Sequence, residues 1–163
     1  MTIDRFSATR RLVLKGTSAV ALIGLGVDLG FGSAPALAAA NDKYPEEAFK
    51  LKSDKDAIRG LYGKTAEASD KVKLDAPEIA ENGAVVPVSV TTTLADVSSI
   101  SFLVAENPIA LVASYRIPAG TVPSVANRIK MAKTSKVTVL VEAGGKLYSA
   151  NKEVKVTVGG CGG

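Results

Sequence analysis

The sequence predicts an all-β protein: an immunoglobulin-like antiparallel β-sandwich with a short N-terminal helical segment and a flexible C-terminal Gly-rich arm. Three observations point that way. From Lys71 to Val158 the chain divides into some seven short runs rich in Val, Ile and Thr, at the roughly 8–12-residue spacing of a sandwich. Turn-forming sequences separate the runs, namely Glu81-Asn82-Gly83, Asn107-Pro108, Pro118-Ala119-Gly120 and Gly144-Gly145. Helical character is confined to Tyr44–Gly63, ahead of the first run. The Cys…Trp…Cys hallmark of antibody domains is absent, because the chain has one cysteine and no tryptophan.

Residues 1–38 read as a leader. Thr9-Arg10-Arg11-Leu12-Val13-Leu14-Lys15 has the form of the twin-arginine export signature, with Arg10 and Arg11 as the paired cations. The apolar segment that follows, Gly16 to Gly32, is loosened by glycines and interrupted by Asp28. Ala34-Pro35-Ala36 and Ala36-Leu37-Ala38 then offer small-x-small cleavage patterns. The uncharged stretch from Gly16 to Val27 is 12 residues long, against about 20 for a membrane span. No membrane anchor is therefore expected in the mature form. Cleavage after Ala38 or Ala40 would leave about 125 residues, the size of one domain. The expected organisation is a cleaved leader over 1–38, a sandwich domain with its N-terminal helices over 39–158 and an arm over 159–163. The protein is expected in the periplasm.

Within the domain, Pro45 with Glu46 and Glu47 suits a first helical turn, by fixed φ and by the helix dipole. Ser53 with Asp56 three residues on predicts an N-cap, and Gly60 or Gly63 predicts the end, so one broken helix or two short ones should form. Strands are predicted at Lys71–Asp75, Val85–Val90, Ser99–Glu106, Ala110–Ile117, Val125–Met131, Ser135–Glu142 and Glu153–Val158. Pro87 marks an edge position or a bulge, since proline has no N–H to give a ladder. Phe49, Tyr62, Phe102, Tyr115 and Tyr148 are assigned to core packing, with an interfacial role for one of them as the alternative.

Composition excludes several function classes. The formal charge of +4 falls to +2 once the leader's four basic and two acidic residues are set aside, and the remaining charges are interspersed. A nucleic-acid binder would need a concentrated basic face with stacking aromatics. The chain has no histidine, which removes Ser-His-Asp and Cys-His catalysis and histidine-based metal sites. A single thiol precludes an internal disulfide.

The chemistry concentrates at the tail. The last predicted strand runs into Gly159-Gly160-Cys161-Gly162-Gly163. Glycine has no side chain and the broadest backbone range, so this arm is expected to stay unpacked. Val158 to Cys161 spans three residues, a reach of about 10 Å at ~3.3 Å per residue. A thiol presented in this way can enter a narrow tunnel in another protein. The thiolate is the reactive species, and the nearest positive charge in the sequence is Lys155. Cys161 is therefore read as a covalent carrier activated by the site it enters, with Gly159, Gly160, Gly162 and Gly163 giving access, and no residue of this chain as a catalyst. The competing readings are a fortuitous thiol, a disulfide-linked dimer and a prenylation box, the last needing its cysteine fourth from the end.

The terminal Gly-Gly-Cys-Gly-Gly, the twin-arginine leader, and Pro77-Glu78-Ile79-Ala80-Glu81-Asn82-Gly83 followed by Val85-Val86-Pro87-Val88 resemble the SoxY family of thiosulfate-oxidation carriers. The resemblance covers essentially the whole mature chain. It implies a heterodimer with SoxZ. It also implies that Cys161 is joined oxidatively to thiosulfate by the SoxAX cytochrome, relieved of sulfate by SoxB and, where present, oxidised further by SoxCD. Haem and metals would belong to those partners, with no cofactor on this chain. A ubiquitin-like carrier using a Gly162-Gly163 thiocarboxylate is the alternative from another class, opposed by the leader, the length and the strand count. A structural adhesion module with an idle tail is a third reading.

Overall fold

The computed structural model describes residues 44–158. The chain enters at Tyr44, whose ring stacks on Phe49 with centroids 5.2 Å apart. It makes one 3-10 turn at Ala48–Lys50 and then helix α1, Asp54–Tyr62. The expectation of two short helical pieces is met. Ser53 takes the N-cap position, but its side chain makes no capping hydrogen bond. Asp54 and Asp56 in the first turn favour the positive helix end instead. Gly63 closes the helix in the left-handed region at φ 61°, its N–H donating to the Arg59 carbonyl at 2.8 Å.

Nine strands follow among the described residues: β1 Glu67–Ala68, β2 Val72–Asp75, β3 Ile79–Asn82, β4 Val86–Thr92, β5 Val97–Val104, β6 Leu111–Arg116, β7 Ser124–Ile129, β8 Ser135–Ala143 and β9 Lys146–Val158. The larger sheet has the order β1-β9-β8-β5-β6, with β3 also on β9; the smaller is β2-β4-β7. The predicted β-sandwich is present, and the seven predicted runs all appear as strands. The last begins at Lys146 rather than Glu153. Its first half, Leu147-Tyr148-Ser149-Ala150-Asn151, is too polar to announce a strand, yet pairs antiparallel along all of β8.

Two strands, β1 and β3, have no forerunner in the sequence reading. Both pair with β9 in parallel. They depart from the wholly antiparallel arrangement expected, because β9 has a free long edge that short passing segments can fill.

Alternation explains how the sheets face each other. Val86, Val88 and Val90 of β4 point inward, as do Ile100, Phe102 and Val104 of β5 and Val137, Val139 and Val141 of β8, all essentially buried. On β5 and β8 the opposite faces are apolar too: Leu103 and Leu140, with Leu147 of β9, form a second cluster with Ala57 of α1 and Ala48. Helix α1 is thus a lid on the outside of the larger sheet, packed through Ile58, Leu61 and Tyr62. Phe102 and Tyr115 meet edge to face in the main core, at 6.4 Å and 89°. Pro87 is tolerated in the middle strand because β2 stops at the Asp75↔Ser89 pair. Pro87 therefore pairs only with Arg128 of β7 and has no neighbour on its other side.

Beneath α1 a file of hydroxyls satisfies itself. Ser99 donates to the Tyr62 oxygen at 3.1 Å, Tyr62 and Ser101 share a 2.7 Å bond, and Ser101 donates to Ser114 at 2.9 Å. Burial raises the Tyr62 phenol above its ordinary range, which keeps it a neutral donor. At the end of this file Lys64 and Ser98 donate to Glu142. The hydrogen bond from Lys64, helped by weaker contacts from Ser98 and Ser99 and opposed by burial, holds the Glu142 carboxyl below its ordinary value. A depressed carboxyl stabilises the fold above the unfolded value near 4.5, and that contribution is lost as pH falls through the folded value. Glu142→Gln is accordingly expected to lower stability at neutral pH by no more than about 1 kcal/mol, because solvent screens the pair. The deficit should vanish in acid, as urea midpoints at neutral and acid pH will register.

Candidate functional site

The candidate site is the place where β9 launches the glycine arm. Lys146–Val154 of β9 are paired with β8, and the last four residues, Lys155–Val158, run past the beginning of that strand. There they take β3 as a parallel partner, with Ile79↔Lys155, Ala80↔Val156 and Asn82↔Val158 in register. The Lys155 N–H donates to the Glu78 carbonyl at 2.9 Å, and the Thr157 hydroxyl to the Glu81 carbonyl at 2.8 Å. From the other side, the Val156 N–H donates to the Thr134 hydroxyl at 3.0 Å.

Gly83 ties this root to the interior. Its N–H donates to the Val158 carbonyl at 2.7 Å, and its own carbonyl accepts from the Met131 N–H at 2.7 Å. Met131 is fully buried in the main core. The chain reaches Gly83 through an Asn82 side chain that accepts from the Ala84 N–H at 2.8 Å, the local bond that turns β3 into β4.

Two further loops brace the same end. Asn107 donates through its amide to the Lys130 carbonyl at 2.8 Å and accepts from the Ala132 N–H at 2.9 Å. Ser135 accepts from the Glu106 N–H at 3.0 Å, and Lys133 pairs with Glu106 at 2.8 Å. That contact holds the Glu106 carboxyl below its ordinary range, while its full exposure makes the pair weak. Val158 is 64% exposed. The last strand residue is thus held by a ladder, yet stands at the rim.

The thiol Cys161 and the glycines Gly159, Gly160, Gly162 and Gly163 lie outside the described residues, as do Arg10 and Arg11 of the expected leader. Sequence reasoning missed β3 and Gly83, which carry the root. The signal was present but illegible. Of Ile79–Asn82 only Ala80 is buried, so no apolar alternation marks a strand, and Glu81-Asn82-Gly83 reads as a turn alone. The same Pro77–Gly83 segment that carried the family resemblance proves to be the clamp on the arm's base.

Among the described residues there is no cluster of three or more metal-ligating side chains, and no helix is long and apolar enough to cross a membrane. What the fold and its rim define is a presenting scaffold, a β-sandwich whose final strand is held up to Val158, three residues before the chain's one cysteine in sequence, and so a carrier in class. The particular family follows from comparison: the chain belongs to the SoxY family, whose model, described as "Sulfur oxidation protein SoxY", matches residues 58–161.

Among solved structures the chain is similar to the sulfur carrier protein SoxY from Chlorobium limicola f thiosulfatophilum. The two are 44% identical, with a TM-score of 0.58, over 64% of this chain and 96% of that one. It also shows a likeness to superoxide reductase (neelaredoxin) from Ignicoccus hospitalis, at 18% identity and a TM-score of 0.49, over 56% and 94% of the two chains. No curated protein matches it.

Proposed function

We propose that this chain is the sulfur-carrying subunit of a periplasmic thiosulfate-oxidising system, in which Cys161 holds the sulfur while partner enzymes act on it. The observation that carries this reading is the clamped end of β9. A strand tied by β3, Gly83 and Thr134 gives a fixed origin to a tail whose only side chain is the thiol.

The first step joins the Cys161 sulfur to the terminal sulfur of thiosulfate. An S–S bond forms as an electron pair leaves to a haem cytochrome of the SoxAX kind, giving a cysteine S-thiosulfonate. Hydrolysis by a SoxB-type enzyme then cleaves the bond between sulfane sulfur and sulfonate. Water supplies the oxygen, sulfate and protons leave, and a persulfide remains on Cys161. Where a SoxCD-type enzyme is present, it takes electrons from that sulfane sulfur while water supplies the oxygens and protons leave, which gives a cysteine S-sulfonate, and a second hydrolysis releases sulfate and restores the thiolate.

The body of this chain contributes no acid, base or cofactor to these steps. Its part is to hold and present, in a heterodimer with a SoxZ-type subunit and after export by the twin-arginine route. The haem and metals belong to the partners.

The glycines supply the test. Replacing Gly160 or Gly162 by Leu adds a side chain that a narrow channel cannot admit. Turnover with the SoxB-type hydrolase is expected to fall by at least tenfold, as misplacement of the reacting atom by about 1 Å can cost ~10²-fold. The thiol should still titrate normally with a small reagent. Unchanged turnover in the Leu variants would discard narrow-channel delivery.

A further inference from the structure

A second feature of the molecule lies between α1 and the outer face of β8 and β9. A cavity of about 500 Å³ opens there. Lys55 and Arg59 line it from one face of the helix, four residues apart, and Lys136 lines it from the sheet. Lys64 also borders the cavity but is held by Glu142. Lys55, Arg59 and Lys136 form no ion pair among the described residues, where the pairs are Lys50 with Glu46 and Glu47, Lys64 with Glu142, and Lys133 with Glu106. Like charges one helical turn apart repel, and with no ion pair to hold them these three cations leave the hollow with an excess of positive charge that a small anion would relieve.

The floor is polar as well. Thr138, only 9% exposed, faces the cavity beside Ser149 and Asn151. A nearly buried hydroxyl and an exposed amide within a cationic cleft are the donors that an oxyanion takes.

One group opposes an anion. Asp54 lies at the edge with one carboxylate oxygen buried and accepting no hydrogen bond. Burial raises its carboxyl above the ordinary value, Lys136 pulls it down, and Glu106 pushes it up. Asp54 is one acid against the three cations that line the same cleft, so the balance of charge there stays positive.

We infer that this cleft, framed by Lys55, Arg59 and Lys136 over Thr138 and Asn151, is a binding site for a small tetrahedral oxyanion such as sulfate or thiosulfate. Arg59 offers its planar fork, which grips two oxygens at once, and the lysines act as point charges. The volume leaves room for the anion with part of its water shell. The choice of sulfur oxyanions as the first ligands to try rests on the carrier reading; the site itself does not.

The test uses the full mature chain carrying Cys161→Ser, so that no thiol chemistry intervenes. Thiosulfate, sulfate, phosphate, acetate and chloride are titrated at constant ionic strength, and backbone amide shifts are followed by NMR. Saturable shifts centred on Arg59, Thr138 and Asn151 are expected with the three tetrahedral anions and not with acetate or chloride. Arg59→Gln and Lys136→Gln should each weaken binding about tenfold, the worth of one charge-assisted hydrogen bond. Asp54→Asn should strengthen it, which a merely structural role for these residues would not produce. Shifts that never saturate, that acetate reproduces, or that survive Arg59→Gln overturn the proposal. Because the cysteine is absent from the experiment, failure here leaves the carrier function standing, and failure of the carrier function would leave this site standing.

Discussion

Cys161→Ser is expected to abolish thiosulfate-dependent turnover while leaving stability within about 0.5 kcal/mol of the wild type. The substitution exchanges one sulfur for one oxygen. A serine hydroxyl forms no S–S bond, so neither the thiosulfonate nor the persulfide can be built, and no other cysteine in the chain can take over. The folded body described over residues 44–158 has two apolar clusters of its own. Intact mass after incubation with thiosulfate and the oxidising partner reads the first half, and a thermal melt reads the second. Adducts that persist in Cys161→Ser but disappear on deletion of Gly162-Gly163 would hand the function to a terminal thiocarboxylate.

Phe102→Ala should give the reciprocal result. Phe102 is wholly buried between the sheets and meets Tyr115 edge to face. Truncating such a ring removes its transfer energy and leaves a void that stiff, strand-bound neighbours cannot close, typically 3–5 kcal/mol in all. For a domain of this size that corresponds to a drop in Tm on the order of 10–20 °C. Below the new midpoint the Cys161 thiol should react with a small reagent at the wild-type rate, since the core and the arm are separate problems. A loss under about 1 kcal/mol would mean that the space between the sheets is less tightly filled than the burial of Ile100, Phe102 and Val139 implies.

Together the two variants divide the molecule into a chemical part of one atom and a mechanical part that holds it. The mechanical part extends further than its core. Asn82 and Thr134 contribute a side-chain hydrogen bond each and Gly83 one through its N–H and one through its carbonyl, and these determine where the arm begins. Their individual energies are of order 1 kcal/mol, too small to decide whether the chain folds. What they decide is whether the tail leaves from one position or several.

Legibility in the sequence followed local pattern. Val86-Pro87-Val88-Ser89-Val90 alternates strictly, and its inward valines are the buried ones. Gly63 and the Asn82-Gly83 turn could be read from residue type, because left-handed backbone and side-chain-capped turns restrict the choice of residue. Ser53 misled in part: the residue type suits an N-cap, but a hydroxyl can be placed there without making the bond. The near-continuous apolar run of β8 was legible as a strand, but its meaning, burial on both faces, depends on a helix lying across it. The cavity under that helix was invisible for the same reason, since Lys55 and Arg59 are separated from Lys136 by most of the domain's length.

By itself the sequence determined the chemistry and the layers: one thiol among glycines, no histidine to make it a catalyst, and strands whose periodicity assigns each side chain to a face. Only the tertiary structure decided which strand edge meets which. The parallel grip of β3 on the end of β9 joins residues 76 apart, Thr157 and Glu81 among them. Side-chain periodicity says which way a residue points but carries nothing about its partner along the hydrogen-bonding direction. That direction is settled by backbone groups common to every residue, and by whatever edge the rest of the fold has left open.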